Sequence, residues 1–226
     1  MSIGENLKKI LSSLPLGVQL IAVSKTKSNE DIMEAYNAGQ RIFGENKVQE
    51  LLQKWESLPK DIEWHFIGHL QSNKVKFIAP FISMIHAADS HKILKTINEE
   101  AKRQGRKIPC LLQFHIASEE SKFGFRPEDV EHLFTDIMLE ELKYITFSGV
   151  MGMATYTDNT VLINHEFSKL NNLFQITKEY YFSSTEDFRE ISMGMSDDYI
   201  LAIQNGSTMV RIGSTLFGKR LYLNEE

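Results

Sequence analysis

The chain is poor in cysteine. Cys110 is the only one among 226 residues, so no intramolecular disulfide can form, which fits a reducing cytoplasm. It lies in the apolar run Pro109-Cys110-Leu111-Leu112, where a core role is expected. No apolar stretch approaches membrane-spanning length. The opening Met1-Ser2-Ile3-Gly4-Glu5-Asn6-Leu7-Lys8-Lys9-Ile10 is too polar for a secretory signal. Positive charge is not in excess: 25 Lys and Arg stand against 30 Asp and Glu, a formal net charge of -5. That balance argues against a broad nucleic-acid or anionic-membrane surface. Sequence repeats, low-complexity tracts and obvious linkers are also missing, so residues 1–226 read as a single domain. Hydrophobic residues at 42% and charged residues at 24% suit a globular protein with a sizeable core.

What the chain does have is alternation. Eight segments read as strands: Val18–Ser24, Arg41–Gly44, Ile62–Gly68, Ile82–Ala87, Pro109–Ile116, Ile145–Met151, Glu190–Met193 and Thr208–Gly213. Helical patterns lie between them. Glu30–Asn37 has Ser28 or Asn29 to cap its start and Gly39 to end it. Ile93, Leu94, Ile97 and Ala101 form a stripe after Asp89-Ser90. Pro127 opens a third helix, with Val130, Leu133, Phe134, Ile137 and Met138 on its apolar side. Phe167, Leu170, Leu173, Phe174 and Ile176 mark a longer one. Tyr180–Arg189 reads as a polar surface loop. Eight strands with intervening helices predict an α/β fold, a (β/α)8 TIM barrel, with an open doubly wound sheet as the alternative.

In such a barrel, function gathers at the C-terminal ends of the strands. There the sequence places Lys25, Phe43-Gly44-Glu45-Asn46, His65-Phe66-Ile67-Gly68-His69, Gly152-Met153, Gly194-Met195-Ser196-Asp197-Asp198 and Arg211-Ile212-Gly213-Ser214-Thr215. Lys25 ends the apolar run Gln19–Ser24. Alone, such a lysine is read as a solvated strand end. Held in a pocket, it would lose solvent, which favours the neutral amine that attacks a carbonyl.

Barrels frequently bind phosphate with the loops after strands seven and eight. Ser192-Met193-Gly194-Met195-Ser196 and Gly213-Ser214-Thr215 supply hydroxyls and glycine-exposed N–H groups in those two loops. An Asp198–Gln204 helix, capped by Ser196 or Asp197, would add more. Either segment alone is equally an ordinary turn. Arg211 shares a strand face with Met209 and Gly213. Pointing inward, it needs a partner, either an internal carboxylate or an acceptor on a cofactor ring. A lysine amine, a phosphate cup and an inward arginine are together what pyridoxal 5'-phosphate (PLP) requires, as an aldimine on the lysine.

The ordered set Ala22-Val23-Ser24-Lys25-Thr26-Lys27, Phe43-Gly44-Glu45-Asn46, Trp64–Lys74, Ser121-Lys122-Phe123-Gly124, Ser192–Asp198 and Val210-Arg211-Ile212-Gly213 spans nearly the whole chain. In it the chain resembles the PLP homeostasis protein family, which is similar to the N-terminal barrel domain of alanine racemase without its second domain. The resemblance implies Lys25 as the Schiff-base lysine. It implies Ser192, Gly194, Gly213 and Ser214 around the phosphate, Arg211 near the ring or phosphate, and Asn46 as a pocket residue. Lys27 and Lys122 would be secondary lysines. It further implies a cytoplasmic PLP-binding role in vitamin B6 homeostasis, with other B6 vitamers and PLP-dependent apo-enzymes as candidate partners. The chain departs from the family at Phe114–Glu120, where valine-asparagine-isoleucine-serine is usual, so His115 is expected to point into the barrel as a satisfied core histidine.

Catalysis is not expected, because racemisation needs two acid-base groups on opposite faces of the cofactor and alanine racemases draw one from their second domain. The alternatives are a low-activity PLP-dependent racemase and a Schiff-base aldolase for a sugar phosphate. A monomer is the default. His65 and His69 do not make a zinc motif, since no glutamate follows His65. Asp197-Asp198 are expected to charge a helix start, Glu119-Glu120 to form a solvated loop, and Met151, Met153, Met193 and Met195 to pack.

Overall fold

A computed structural model describes residues 2–119 and 123–218. Lys122, and the Ser121-Lys122 half of its motif, lie outside the described residues. The chain begins with helix α1 (Ile3–Ser13), which the hydrophobic pattern does not single out. Ser2 caps it, and the reciprocal contact from Glu5 completes a capping box. Then β1 (Gln19–Val23), α2 (Asn29–Asn37), β2 (Ile42–Glu45), α3 (Val48–Ser57) and β3 (Glu63–Phe66) alternate. A single 3-10 turn, Ser72–Lys74, leads into α4 (Val75–Ile78), followed by β4 (Met84–Ala88), α5 (His91–Arg103) and β5 (Ile108–Gln113). The second half holds α6 (Asp136–Glu141), β6 (Ile145–Met151), α7 (Thr160–Tyr181), β7 (Glu190–Ser192), α8 (Tyr199–Gln204), β8 (Met209–Ile212) and α9 (Ser214–Phe217).

The eight strands are parallel and close on themselves in chain order, β8 pairing with β1. The doubly wound alternative is thereby set aside. Closure explains why Leu20 to Val23 are all buried: each strand has helices outside and side chains inside. The two faces form separate apolar clusters. Leu20 and Ala22 belong to the large one under the helices, while Ile21 packs in the barrel with Ala87, Leu111, Met151 and Met209.

Several expected boundaries shift. The strands are mostly shorter than the apolar runs, because ladder pairing ends before burial does; β5 stops at Gln113, so Phe114, His115 and Ile116 lie beyond it. The helix opened by Pro127 splits into a 3-10 stretch, Pro127–His132, and α6. Ile137, placed on its apolar side, is 70% exposed. Thr135 breaks the run by capping α6 with its hydroxyl. The Tyr180–Arg189 loop is not wholly superficial. Phe182 and Phe188 are buried and stack on each other, with Phe188 also stacked on Phe174 of α7.

Candidate functional site

Lys25 sits two residues past β1, half-buried in the turn Ser24–Lys27, which is closed by the Lys27 N–H donating to the Ser24 carbonyl at 3.0 Å. Thr26 holds φ at +65°, the only non-glycine residue with positive φ among the described residues. The turn rests on a buried polar cluster. Ser24 Oγ donates to Glu45 Oε1 at 2.6 Å, and Lys54 Nζ of α3 donates to the Ser24 carbonyl and to Glu45 and Glu50, each at 2.7 Å.

The β8 end closes against β1. A Cβ on Gly213 would lie 3.2 Å from the Val23 carbonyl, so glycine lets the β8 loop approach the strand that carries Lys25. Across from it, the β7 loop turns at Gly194, with φ +91° and no space for a Cβ, which would fall 2.5 Å from Ala202 Cβ. Ser196 joins the two loops: its Oγ accepts from the N–H groups of Gly213 at 3.2 Å and Thr215 at 3.4 Å. The sequence offers Ser196 only as a segment member and a possible cap. In fact α8 begins at Tyr199 after Asp198, whose carboxylate turns back to accept from the Met195 N–H. The N–H groups of Ser196, Asp197 and Ser214 find no protein acceptor among the described residues.

Beneath the loops, Arg211 points into the barrel, as its strand face predicts. Its Nη1 donates to Ser192 Oγ at 2.6 Å and its Nη2 to the Gly152 carbonyl at 3.1 Å. Ser192 Oγ in turn meets His86 Nδ1 at 2.9 Å, and His86 Nε2 meets His65 Nδ1 at 2.9 Å. A chain of hydrogen bonds therefore crosses the barrel from β8 through β7 and β4 to β3. Burial pushes the His65 imidazole down to about 3. Burial, helped by the charges of His65 and Arg211, holds His86 well below its ordinary range. Both rings are thus neutral near pH 7. Burial lowers Arg211 to about 10, opposed by the Asp198 charge, so it stays a cation. Burial also raises Asp198. Among the described residues no carboxylate is within ion-pair distance of Arg211, and the Asp198 carboxylate acts on it through its charge alone.

The residues singled out from sequence gather at the ends of four consecutive strands: Ser192 ends β7 and Gly194 follows it, Arg211 lies on β8 with Gly213 and Ser214 after it, Lys25 follows β1, and half-buried Asn46 comes directly after β2. Ser192 differs in detail, since its hydroxyl is engaged below the loops by Arg211 and His86. Lys27 donates to the carbonyls of Phe217 and Gly218, holding the end of α9. His115 does not enter the barrel. It lies past the end of β5 and its Nε2 contacts the Glu119 carbonyl at 2.7 Å near the surface, while Gln113 is the buried polar residue of that strand. His65 and His69 diverge: His69 reaches the Asp89 carboxylate at 2.8 Å and stacks on Phe123. The His65–His86 link, between β3 and β4, and the reach of Lys54 in α3 to Ser24 after β1 escape sequence reading, because each joins separate elements that only the fold brings together.

The donor set suits PLP: an amine on the turn after β1, backbone N–H groups with no other acceptor among the described residues in the β7 and β8 loops, and a buried cation whose hydrogen-bond partners are neutral. The chain matches the alanine racemase N-terminal domain family over residues 2–220. It is 38% identical over 235 residues to the pyridoxal phosphate homeostasis protein of Pasteurella multocida, covering 98% of this chain and 99% of that one. The chain belongs to the pyridoxal phosphate homeostasis protein family. The family member of Schizosaccharomyces pombe is 38% identical over 208 residues, covering 90% of this chain and 84% of its own. Among solved structures, PipY of Synechococcus elongatus with PLP bound is 34% identical, with a TM-score of 0.84 over 96% of this chain and 100% of that one; without PLP its TM-score is 0.88. Alanine racemase of Clostridium difficile, at 16% identity and a TM-score of 0.73, shares the fold alone over 99% of this chain and 57% of its own. Among the described residues, no helix of this family member is long and apolar enough to cross a membrane.

Proposed function

We propose that this protein binds PLP at the C-terminal mouth of its barrel and serves vitamin B6 homeostasis by holding the cofactor on the Lys25 amine. The observation that carries the reading is the convergence of three groups. Lys25 lies on the β1 turn, the N–H groups of Ser196, Asp197 and Ser214 lie in the loops closed against it, and Arg211 lies beneath, a cation among neutral partners. The loops with Gly194, Gly213 and Ser214 receive the phosphate. Arg211, held by Ser192, faces the ring or the phosphate, and Asn46 borders the pocket. PLP supplies a reactive aldehyde and an electron-withdrawing ring. PipY, solved with PLP bound, supports the reading.

The role is holding, without turnover. His86, joined to Arg211 through Ser192, and His65 beyond it are buried, neutral and bonded to each other. The test is to incubate purified protein with PLP, reduce with borohydride and locate the adduct by mass spectrometry. A yellow protein with the adduct on Lys25, lost in Lys25→Ala, is expected. An adduct elsewhere, or none, overturns the assignment. Racemisation of an added amino acid that vanishes in Lys25→Ala would overturn the holding role.

A further inference from the structure

Behind Lys25, the buried cluster makes its hydrogen bonds with the turn after β1 at Ser24 and Thr26, the residues on either side of Lys25. Lys54 is 5% exposed and Glu45 is fully buried. The three donors of the Lys54 ammonium are all committed, to the Ser24 carbonyl, Glu45 Oε1 and Glu50 Oε1, each at 2.7 Å. Glu45 Oε1 also accepts from the Ser24 hydroxyl, and Glu50 Oε1 accepts from the Thr26 N–H at 2.5 Å. The residue before Lys25 is thus held through its carbonyl and hydroxyl, and the residue after it through its N–H.

That last contact falls on the one non-glycine residue with positive φ among the described residues, a β-branched threonine in a region such residues seldom enter. A conformation of this kind persists only where its surroundings over-determine it. The cluster is also expensive by itself. Glu45 Oε2 is buried with no hydrogen-bond partner, and burial raises the Glu45 pKa against the pull of Lys54. A well-packed apolar substitute would stabilise the barrel at least as well, so fold stability alone gives little reason for two carboxylates and a lysine here.

We infer that Glu45, Lys54 and Glu50 are positioning residues that lock the Ser24–Lys27 turn and so aim the Lys25 amine at its aldehyde. Lys54 couples the two carboxylates. Glu45 anchors the end of β1, and Glu50 holds Thr26 in its unusual conformation. The inference rests on the proposed role of Lys25, and its test separates the two.

Glu50 is at the edge of the cluster, with a side chain 22% exposed, so its variants should fold. PLP capture is followed by absorbance after mixing, and the fraction fixed on Lys25 by borohydride is measured in wild type, Glu50→Ala and Glu50→Gln, alongside thermal melting. Glu50→Ala is expected to slow capture about 10-fold or more through lost alignment, with a melting temperature close to wild type. Glu50→Gln retains an acceptor oxygen for Thr26 and should recover most of the rate. Capture by Glu50→Ala at the wild-type rate overturns the inference, as does a rate that follows melting temperature across the variants. Acetylation of Lys25, read by peptide mass spectrometry against the other lysines, needs no PLP. If wild type captures no PLP on Lys25 but its acetylation changes several-fold in Glu50→Ala, the cofactor assignment fails and the positioning role stands. If acetylation is also unchanged, the positioning role fails.

Discussion

Arg211 and Ser192 show how much can depend on one hydroxyl. Ser192→Ala would leave an Arg211 donor and His86 Nδ1 buried without their partner. Each such group costs about 1–3 kcal/mol, so urea unfolding should show a loss within that range or above, and PLP binding should weaken. The histidines add a pH dependence. His65 in the folded state has its pKa depressed from 6.5 to about 3 by burial, so the unfolded chain binds the proton more readily. Stability from this residue is present above about pH 6.5 and is lost as pH falls toward 3. His65→Asn, which keeps an acceptor near Nδ1, should make the fall of the urea midpoint below pH 6.5 shallower. His86, lowered as well, should keep it from becoming flat. Arg211 pointing inward is legible in strand alternation, whereas its partners are not, since Ser192, His86 and Gly152 reach it from other strands.

At the scale of elements, α7 does more than cover the sheet. Glu166 is buried on it and receives the N–H and hydroxyl of both Ser118 and Thr155, so one carboxylate ties the loops after β5 and β6 to the helix. Burial alone would raise its pKa, but the bonds from Thr155 and Ser118 outweigh that and the net direction is down. Its contribution to stability is therefore present above the ordinary glutamate range and lost as pH falls through the lowered value. Glu166→Ala should raise amide exchange at Ser118 and Thr155 by more than at β5 and β6 themselves, measured by hydrogen–deuterium exchange. Helix α7 was readable from its apolar spacing. The α6 region was not, because its apolar residues continue the period across Thr135 while that hydroxyl caps a new helix.

Taken whole, the molecule is a closed barrel whose closure decides which parts meet. The aromatic group around Phe188, fully buried against Phe174 and Phe182, seals the region before β7. Phe188→Ala should cost about 3–5 kcal/mol, read as a lowered urea midpoint, and should loosen β7, which carries Ser192, the partner of Arg211. By itself the sequence determined the alternation of apolar strands and amphipathic helices, the rim positions of Lys25, Gly194 and Gly213, and the inward face of Arg211. These follow from local periodicity and from backbone conformations that particular residue types favour. Only the tertiary structure decided that β8 meets β1, that Ser192 turns to Arg211 and His86, and that Glu45, Glu50 and Lys54 grip the turn around Lys25. Those contacts link residues as far apart in the chain as Gln19 and Met209, and their geometry exists only once the barrel has closed.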